Sequence, residues 1–261
     1  MKKRELYCIF AVCLLILSSC LGDTNTQITV GEQEAVYQTR PTNGFYINGG
    51  RFLYGSNLGV SGDNGDCFLI EYSFDSSSPE LQETDSLSIE LLGNPRYVDL
   101  MPLDNQMTDT LVVLNNEVLT ESMLGRKPYI NGRLFLWTNH TELQNQVDSF
   151  MISYNPEQMY NTVNNRRIYN LYLRAVKIEE EEGGEEGAEE TVTEGTKVRV
   201  QRINAFNVEE FINRAGQSEE QLGSDTLRVT INYASAFNKD TTACLWSATE
   251  PIEFVLNSRT E

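Results

Sequence analysis

The chain has 261 residues, of which 40% are hydrophobic and 22% charged. This composition is too apolar for a disordered chain and too polar for a multispan membrane protein, and the length allows two packed cores. The 38 acidic and 20 basic residues give a formal charge of −18, which argues against nucleic acid as a partner, because phosphate binding needs clustered Lys and Arg.

The first twenty residues have the features of a secretory leader. Basic residues at positions 2–4 precede an apolar run over residues 6–17, which is too short to cross a bilayer as a helix. The run ends in Leu17-Ser18-Ser19-Cys20, and this ending resembles the lipobox of bacterial lipoproteins. The resemblance implies cleavage of residues 1–19, a diacylglyceryl group on Cys20 and an acylated amino terminus. The alternative is an ordinary signal with a coincidental cysteine.

The sequence after the leader bears on where an acylated chain would reside. Several acyl chains hold a protein stably on a bilayer, whereas a single one does not. Leu21 follows the cysteine where Asp would argue for inner-membrane retention, so we expect a lipid anchor in the outer membrane. Asp23 is a single acid where surface-export signals of Bacteroidota-type lipoproteins hold several, which leaves open whether the protein faces the periplasm or the medium.

Residues 20–33 are small and polar, and they predict a tether that separates the folded part from the lipid. Two further cysteines follow, Cys67 and Cys244. An oxidising compartment permits a disulfide between them. Their spacing does not show whether they pair, so a bridge and two buried thiols both stay open.

The remaining sequence has mostly the period-two pattern of strands. Short strands separated by glycine-rich turns, with no long amphipathic helix, predict a small closed barrel over residues 34–125, since closure hides sheet edges. Longer alternating segments predict an antiparallel β-sandwich over residues 126–261. The predicted fold class is therefore all-β, a barrel followed by a sandwich.

Two segments interrupt the predicted sandwich. Residues 179–196 contain nine glutamates and no basic residue, which predicts a solvated, flexible insert between two strands. One short helix is expected from a cap at Asn207 to a stop at Gly216, with an apolar stripe on one face. The stripe consists of Val208, Phe211, Ile212 and Ala215.

The order of these parts resembles the NigD-like lipoproteins of Bacteroidota. The likeness depends on Cys20-Leu21-Gly22-Asp23 after the leader, on residues 65–74 and on residues 225–231. It implies that the barrel is OB-like and that the sandwich follows it, but it implies no ligand. The acidic insert is not expected of that family.

A second resemblance concerns covalent modification. Four Asp-Ser or Asp-Thr motifs look like acceptor sites of the O-glycosylation system that the same bacterial group uses on envelope proteins. The acceptors would be Ser86, Thr110, Thr226 and Thr241. The alternative is that Asp and Ser or Thr simply begin strands after turns.

Enzyme motifs are missing from the sequence. The single histidine, His140, lies in a polar stretch, and no Gly-x-Ser-x-Gly elbow accompanies any serine. One histidine and two distant cysteines cannot make a structural zinc site. We therefore expect no catalytic residues, no metal and no cofactor.

The sequence is compatible with three functions. The leading prediction is a noncatalytic binding or assembly module of the cell envelope, anchored in the outer membrane, with an envelope protein or glycan as its partner. An alternative is a carbohydrate-binding accessory lipoprotein of a glycan uptake system, which would stack sugars on aromatic rings. The available rings are Trp137, Tyr154, Tyr160 and Trp246. A glycoside or ester hydrolase would need an acid pair in a cleft.

Overall fold

The computed structural model describes residues 26–178 and 196–256, except residues 57, 122, 124, 144 and 145. The predicted leader, Cys20 and all but the last residue of the acidic insert lie outside the described residues. Of the described residues, 53% are in strands and 8% in helices, which confirms the predicted strand-rich class. None of the helices described is long and apolar enough to cross a membrane.

Seven strands form the first sheet. Their bounds are β1 (Gln27–Gln38), β2 (Gly44–Ile47), β3 (Phe52–Tyr54), β4 (Cys67–Asp75), β5 (Ser86–Ser88), β6 (Glu90–Leu91) and β7 (Arg96–Val98). The order is β5-β3-β2-β1-β4-β6, with β7 also paired to β4. Closure into the predicted barrel would require pairing of the outer strands β5 and β6, and no such pairing is found in the described part of the chain.

Eleven strands form the second sheet, in the order β10-β11-β15-β8-β12-β14-β16-β17, with β9 and β13 on β14 and β18 on β16. Their bounds are β8 (Leu100–Asp104), β9 (Glu117–Val118), β10 (Tyr129–Ile130), β11 (Arg133–Leu143), β12 (Asp148–Ser153), β13 (Tyr160–Val163), β14 (Arg166–Lys177), β15 (Lys197–Asn207), β16 (Thr226–Phe237), β17 (Cys244–Ala248) and β18 (Ile252–Val255).

The prediction of an antiparallel sandwich over residues 126–261 is wrong for one strand pair, because β14 runs parallel to β16. β8, which precedes that range, also runs parallel to its partners β12 and β15. Parallel neighbours need a long connection, and the chain supplies one between β14 and β16 by passing through β15 and a helix. Period-two patterning shows which residues face the core, but it does not show strand direction.

The second sheet has two halves, one with β10, β11 and β15 and the other with β12, β14, β16 and β17. β8 joins these halves, because it changes partners along its length. Leu100–Pro102 pairs with β15, whereas Leu103 and Asp104 pair with β12. The halves enclose one apolar core, with Leu134 and Leu136 from β11 packed in the same cluster as residues of β12, β14 and β16. Full burial of each such side chain stabilises the folded state by about 1.5–3 kcal/mol. The sandwich-like layering thus arises within a single hydrogen-bonded sheet.

The boundary between the sheets differs from the predicted domain ranges. The first sheet ends at Val98 and the second begins at Leu100, whereas the sequence placed the change after residue 125. The predicted tether of residues 20–33 is also wrong in its second part, because β1 begins at Gln27 and pairs with β4. Ile28, Thr29 and Val30 are β-branched and favour this strand.

The described part of the chain has two short helices, where the sequence predicted one. α1 (Glu80–Glu83) is a single turn, and α2 (Glu209–Glu220) follows β15. The four residues of the predicted apolar stripe are buried against the large core, as expected. The predicted stop at Gly216 is wrong, because the helix continues to Glu220. Gly216 lies against Leu256, so that an added Cβ would come within 3.0 Å of the leucine side chain.

Candidate functional site

A groove of about 500 Å³ lies at the end of the second sheet where β14 finishes and β15 begins. We call it the end groove. Lys177, Lys197 and Phe237 contribute to its wall, together with three acidic residues, Glu117, Glu121 and Glu142. Glu117 and Glu142 each also belong to a buried polar cluster, and the clusters differ in how completely their polar atoms are paired.

The first cluster centres on Arg174, whose side chain is 1% exposed. Its Nε donates to Glu117 Oε1 at 2.8 Å, and its Nη2 forms an ion pair with Glu117 Oε2. Nη1 donates to Thr108 Oγ1 and to the Asp109 carbonyl, and Nη2 also donates to the Val112 carbonyl. All five guanidinium protons therefore have acceptors, and the cluster fastens the segment after β8 to β14.

The charge states of this cluster follow from burial and pairing. Burial disfavours the ionised form of Glu117, but hydrogen bonds from Arg174 and from the Leu114 backbone N–H outweigh it and hold the pKa of Glu117 below its ordinary value. Burial likewise opposes the charge on Arg174, and Glu117 raises the pKa of that guanidinium. Both groups stay charged, and the pair is a satisfied structural element.

The second cluster consists of His140 and Glu142 on β11 and Asp148 at the start of β12. The three side chains are 0%, 4% and 1% exposed. His140 Nε2 lies 2.9 Å from Glu142 Oε2 and 2.8 Å from Asp148 Oδ2. We call these residues the His140 cluster. His140 and Glu142 share a face of β11 because they are two positions apart, and Asp148 reaches them from the opposite half of the sheet.

Two atoms of the His140 cluster lack hydrogen-bond partners within the described residues, His140 Nδ1 and Asp148 Oδ2. The outer carboxylate oxygens are held, since Arg202 pairs with Glu142 Oε1 and Gln146 Nε2 donates to Asp148 Oδ1 at 2.7 Å. Buried polar atoms are nearly always paired in native proteins. Of the two clusters, the His140 cluster is the one in which buried polar atoms lack a hydrogen-bond partner among the described residues.

Sequence reasoning missed this cluster because it treated His140 as part of a polar stretch. The structure buries that residue in β11. A signal was present in the alternation along the strand, where Leu134, Leu136 and Thr138 face inward. Continuing the same parity brings His140 and Glu142 to that face. The contribution of Asp148 had no comparable signal, because it depends on how the two halves of the sheet pack.

The four aromatic residues proposed for sugar stacking are spread over the fold. Trp137 packs against the cluster between the two sheets, and its Nε1 donates to Glu34 Oε1 at 2.7 Å. Tyr154 belongs to the large core, and Tyr160 is half-buried and packs against it. Trp246 donates from Nε1 to the Thr110 carbonyl. These positions do not form one shared platform, and sugar stacking on any single ring stays a prediction.

The proposed O-glycosylation acceptors differ in exposure. Thr241 is exposed in the turn between β16 and β17, whereas Ser86, Thr110 and Thr226 are half-buried. Ser86 and Thr226 are the first residues of β5 and β16, which matches the alternative that these motifs begin strands. Modification itself stays a prediction at all four positions.

Cys67 and Cys244 are free, buried thiols. They lie in different sheets, and in this structure they are two separate thiols with no disulfide between them. Burial raises the pKa of Cys67 to about 12 and that of Cys244 to about 11. Both sulfurs therefore stay protonated and weakly reactive near neutral pH.

No family model and no curated protein matches this chain. Solved structures do resemble it. An uncharacterized protein from Parabacteroides merdae is 19% identical with a TM-score of 0.68, covering 86% of this chain and 98% of its own. A candidate lipoprotein from Bacteroides fragilis is 15% identical with a TM-score of 0.56, covering 88% and 99%.

A NigD-like immunity protein from Bacteroides caccae is also similar, at 13% identity and a TM-score of 0.41, covering 87% of this chain and 97% of its own. A likeness that distant supports no argument about this chain. At such low identities the first two structures show a shared fold and nothing about activity. Membership in the NigD-like family stays a prediction.

Proposed function

We propose that this protein is a noncatalytic lipoprotein, anchored in the outer membrane through Cys20, that acts as a binding or assembly module of the cell envelope. The observation that supports it most is at the start of the sequence, where basic residues are followed by an apolar run and then by Leu17-Ser18-Ser19-Cys20. The fold likeness to the candidate lipoprotein from Bacteroides fragilis agrees with this proposal.

The position of β1 indicates how an anchored molecule would stand on the membrane. Gln27 follows Cys20 by seven residues, which limits its distance from the lipidated sulfur to roughly 25 Å. β1 then leads away over the nine residues to Val36, roughly 30 Å along a strand. Val36 packs in the cluster that joins the first sheet to the second. The second sheet, with its end groove, is therefore attached to the far end of β1 and is the part we expect to meet a partner.

The two sheets hold each other through apolar and polar contacts. Besides Val36, the shared cluster contains Cys67 from β4 and Phe135 from β11. Glu34 on β1 is buried and accepts hydrogen bonds from both Trp137 and Arg126 of the second half of the chain. This junction makes the first sheet a support that positions the second.

Site-specific photo-cross-linking in the native host tests the binding role. A photoreactive residue at Lys197, which is exposed on the wall of the end groove, is expected to give one discrete cross-linked product with an envelope protein or glycan. The same residue at Val255, which is 79% exposed and outside the groove, serves as the matched control. In a Cys20→Ala background the product at Lys197 should be reduced, because the molecule is no longer held at the membrane.

Two results would contradict the proposal. One is the same pattern of products from Lys197 and Val255, which would mean that contacts are made by random collision. The other is an undiminished Lys197 product in the Cys20→Ala protein, which would separate binding from anchoring.

A further inference from the structure

The His140 cluster places three ligand atoms around one point. Nε2 of His140, Oε2 of Glu142 and Oδ2 of Asp148 all lie within 4.8 Å of one another. Donor atoms that share a tetrahedral ion at 2.0–2.2 Å stand roughly 3.3–3.6 Å apart. The two nitrogen-to-oxygen distances, 2.9 and 2.8 Å, are shorter than that, so the three side chains must spread by roughly half an ångström to admit an ion.

The one proton that His140 Nε2 can donate does not satisfy both of the carboxylate oxygens that face it. An imidazole nitrogen carries one proton or one lone pair, whereas His140 Nε2 faces two carboxylate oxygens. If Nε2 donates its proton to Glu142, Asp148 Oδ2 keeps no partner, as the structure shows. A nearby cation is also favoured where two carboxyl groups are buried together. Arg202 pairs with the outer oxygen of Glu142, and no arginine or lysine pairs with Asp148 in the described part of the chain.

The two carboxylates of the cluster, but not His140 Nδ1, have the hydrogen-bonded surroundings of metal ligands. In metal sites the ligating carboxylates are themselves held by hydrogen bonds that fix their direction. Arg202 does this for Glu142 and Gln146 does it for Asp148, and in each case the held oxygen is the one that does not face His140. The His140 ring packs edge to face with Phe150, at 5.8 Å between centroids, which restricts its rotation.

We propose that the His140 cluster binds one divalent first-row transition cation, with zinc as the ion to test first, through Nε2, Oε2 and Oδ2. One imidazole and two carboxylates suit zinc or manganese better than an all-oxygen ion such as calcium. Glu142 also lines the end groove, so the ion enters from that side and keeps a position open to a water or a ligand. This inference goes beyond the proposed function, because it names a site that anchoring and partner binding do not need.

Binding would have a structural consequence as well. His140 and Glu142 belong to the half of the second sheet that contains β15, and Asp148 belongs to the half that contains β14. The ion therefore fastens the two halves together next to the end groove. We expect added metal to raise the Tm of the wild-type protein.

The test uses the purified mature lipoprotein in detergent, freed of metal by a chelator. Isothermal titration with zinc is expected to show one ion per chain, and cobalt(II) is expected to give a visible absorption band. The variant Asp148→Asn removes the charge of one ligand at nearly constant size, and His140→Asn removes the imidazole nitrogen. We expect their zinc affinity to fall by more than the roughly 10–100-fold that loss of an outer-shell contact costs.

Glu121→Gln is the matched control, because Glu121 lines the same groove but lies outside the cluster. It should bind zinc as the wild type does. Equal zinc affinity in Asp148→Asn and wild type would overturn the proposal. So would a wild-type protein that binds no zinc and whose Tm does not change on zinc addition, a readout that needs no folded variant.

Discussion

Replacing Arg174 by Met is expected to lower the free energy of unfolding by about 3–5 kcal/mol. Arg174 and Glu117 are 1% and 0% exposed, so removing the cation leaves a buried carboxylate with no counter-charge. The carbonyls of Asp109 and Val112 lose their donors at the same time. Urea unfolding at pH 7, followed by circular dichroism, measures the loss.

A matched control and a rescue accompany this variant. Arg228 pairs with Glu253 at 2.9 Å, but Glu253 is 59% exposed, so Arg228→Met should cost at most about 1 kcal/mol. Adding Glu117→Leu to Arg174→Met removes the stranded charge and should recover part of the loss. Equal losses in Arg174→Met and Arg228→Met would show that the buried pair does not have the role assigned to it.

The same pair predicts a pH dependence. Because the folded state lowers the pKa of Glu117, the stability it contributes is present above the ordinary value of 4.5 and is lost as pH falls through the lower folded pKa. Arg174→Met should therefore show a smaller loss of stability on acidification than the wild type, since it lacks the contact that lowers this pKa.

Replacing Phe135 by Ala is expected to cost about 3–5 kcal/mol and to uncouple the two sheets. Phe135 is fully buried in the cluster between the two sheets, to which the first sheet contributes Val36 and Leu69. Loss of the ring removes apolar contact at the junction while leaving each sheet its own core. Differential scanning calorimetry should therefore change from one unfolding transition to two.

Phe135→Leu is the conservative comparison. Leucine keeps most of the buried apolar area, so the loss should be clearly smaller and a single transition should remain. If Phe135→Ala unfolds in one transition with an unchanged midpoint, the two sheets do not depend on this junction.

The strand content could be predicted from the sequence, since alternation follows directly from burial of one face. The segments around Leu134, Leu171 and Val229 show it, and all three residues are buried. The same alternation does not show strand direction, so the parallel pairing of β14 with β16 was not predicted. The boundary at Asp99 was missed for a related reason, because short strands continue across it without a break in pattern.

Helix α2 shows that local sequence signals do not include tertiary contacts. The apolar stripe was correctly predicted from its spacing, but a glycine was taken as the end of the helix. At Gly216 the requirement is close packing against Leu256, and Glu219 beyond it is buried with a hydrogen bond from Tyr169. Tertiary contacts of this kind have no local signature and outweigh the cost of glycine in a helix.

The two polar clusters also depend on tertiary contacts that the sequence does not show. The acceptors of Arg174 come from residues 108–117, which precede it by 57 to 66 positions. Asp148 meets His140 only because the second sheet folds over itself. Residues two apart on one strand can be paired from sequence, whereas residues on facing strands need the fold.

The central claim, anchoring through Cys20, is tested most directly by mass spectrometry of the protein purified from the membranes of its native host. We predict that the amino-terminal peptide begins at Cys20 and has the added mass of a diacylglyceryl group and an amide-linked acyl chain, and that Cys13→Ala, a change within the leader, leaves this product intact. A mature chain that retains residues before Cys20, or that begins there with an unmodified thiol, would contradict the account.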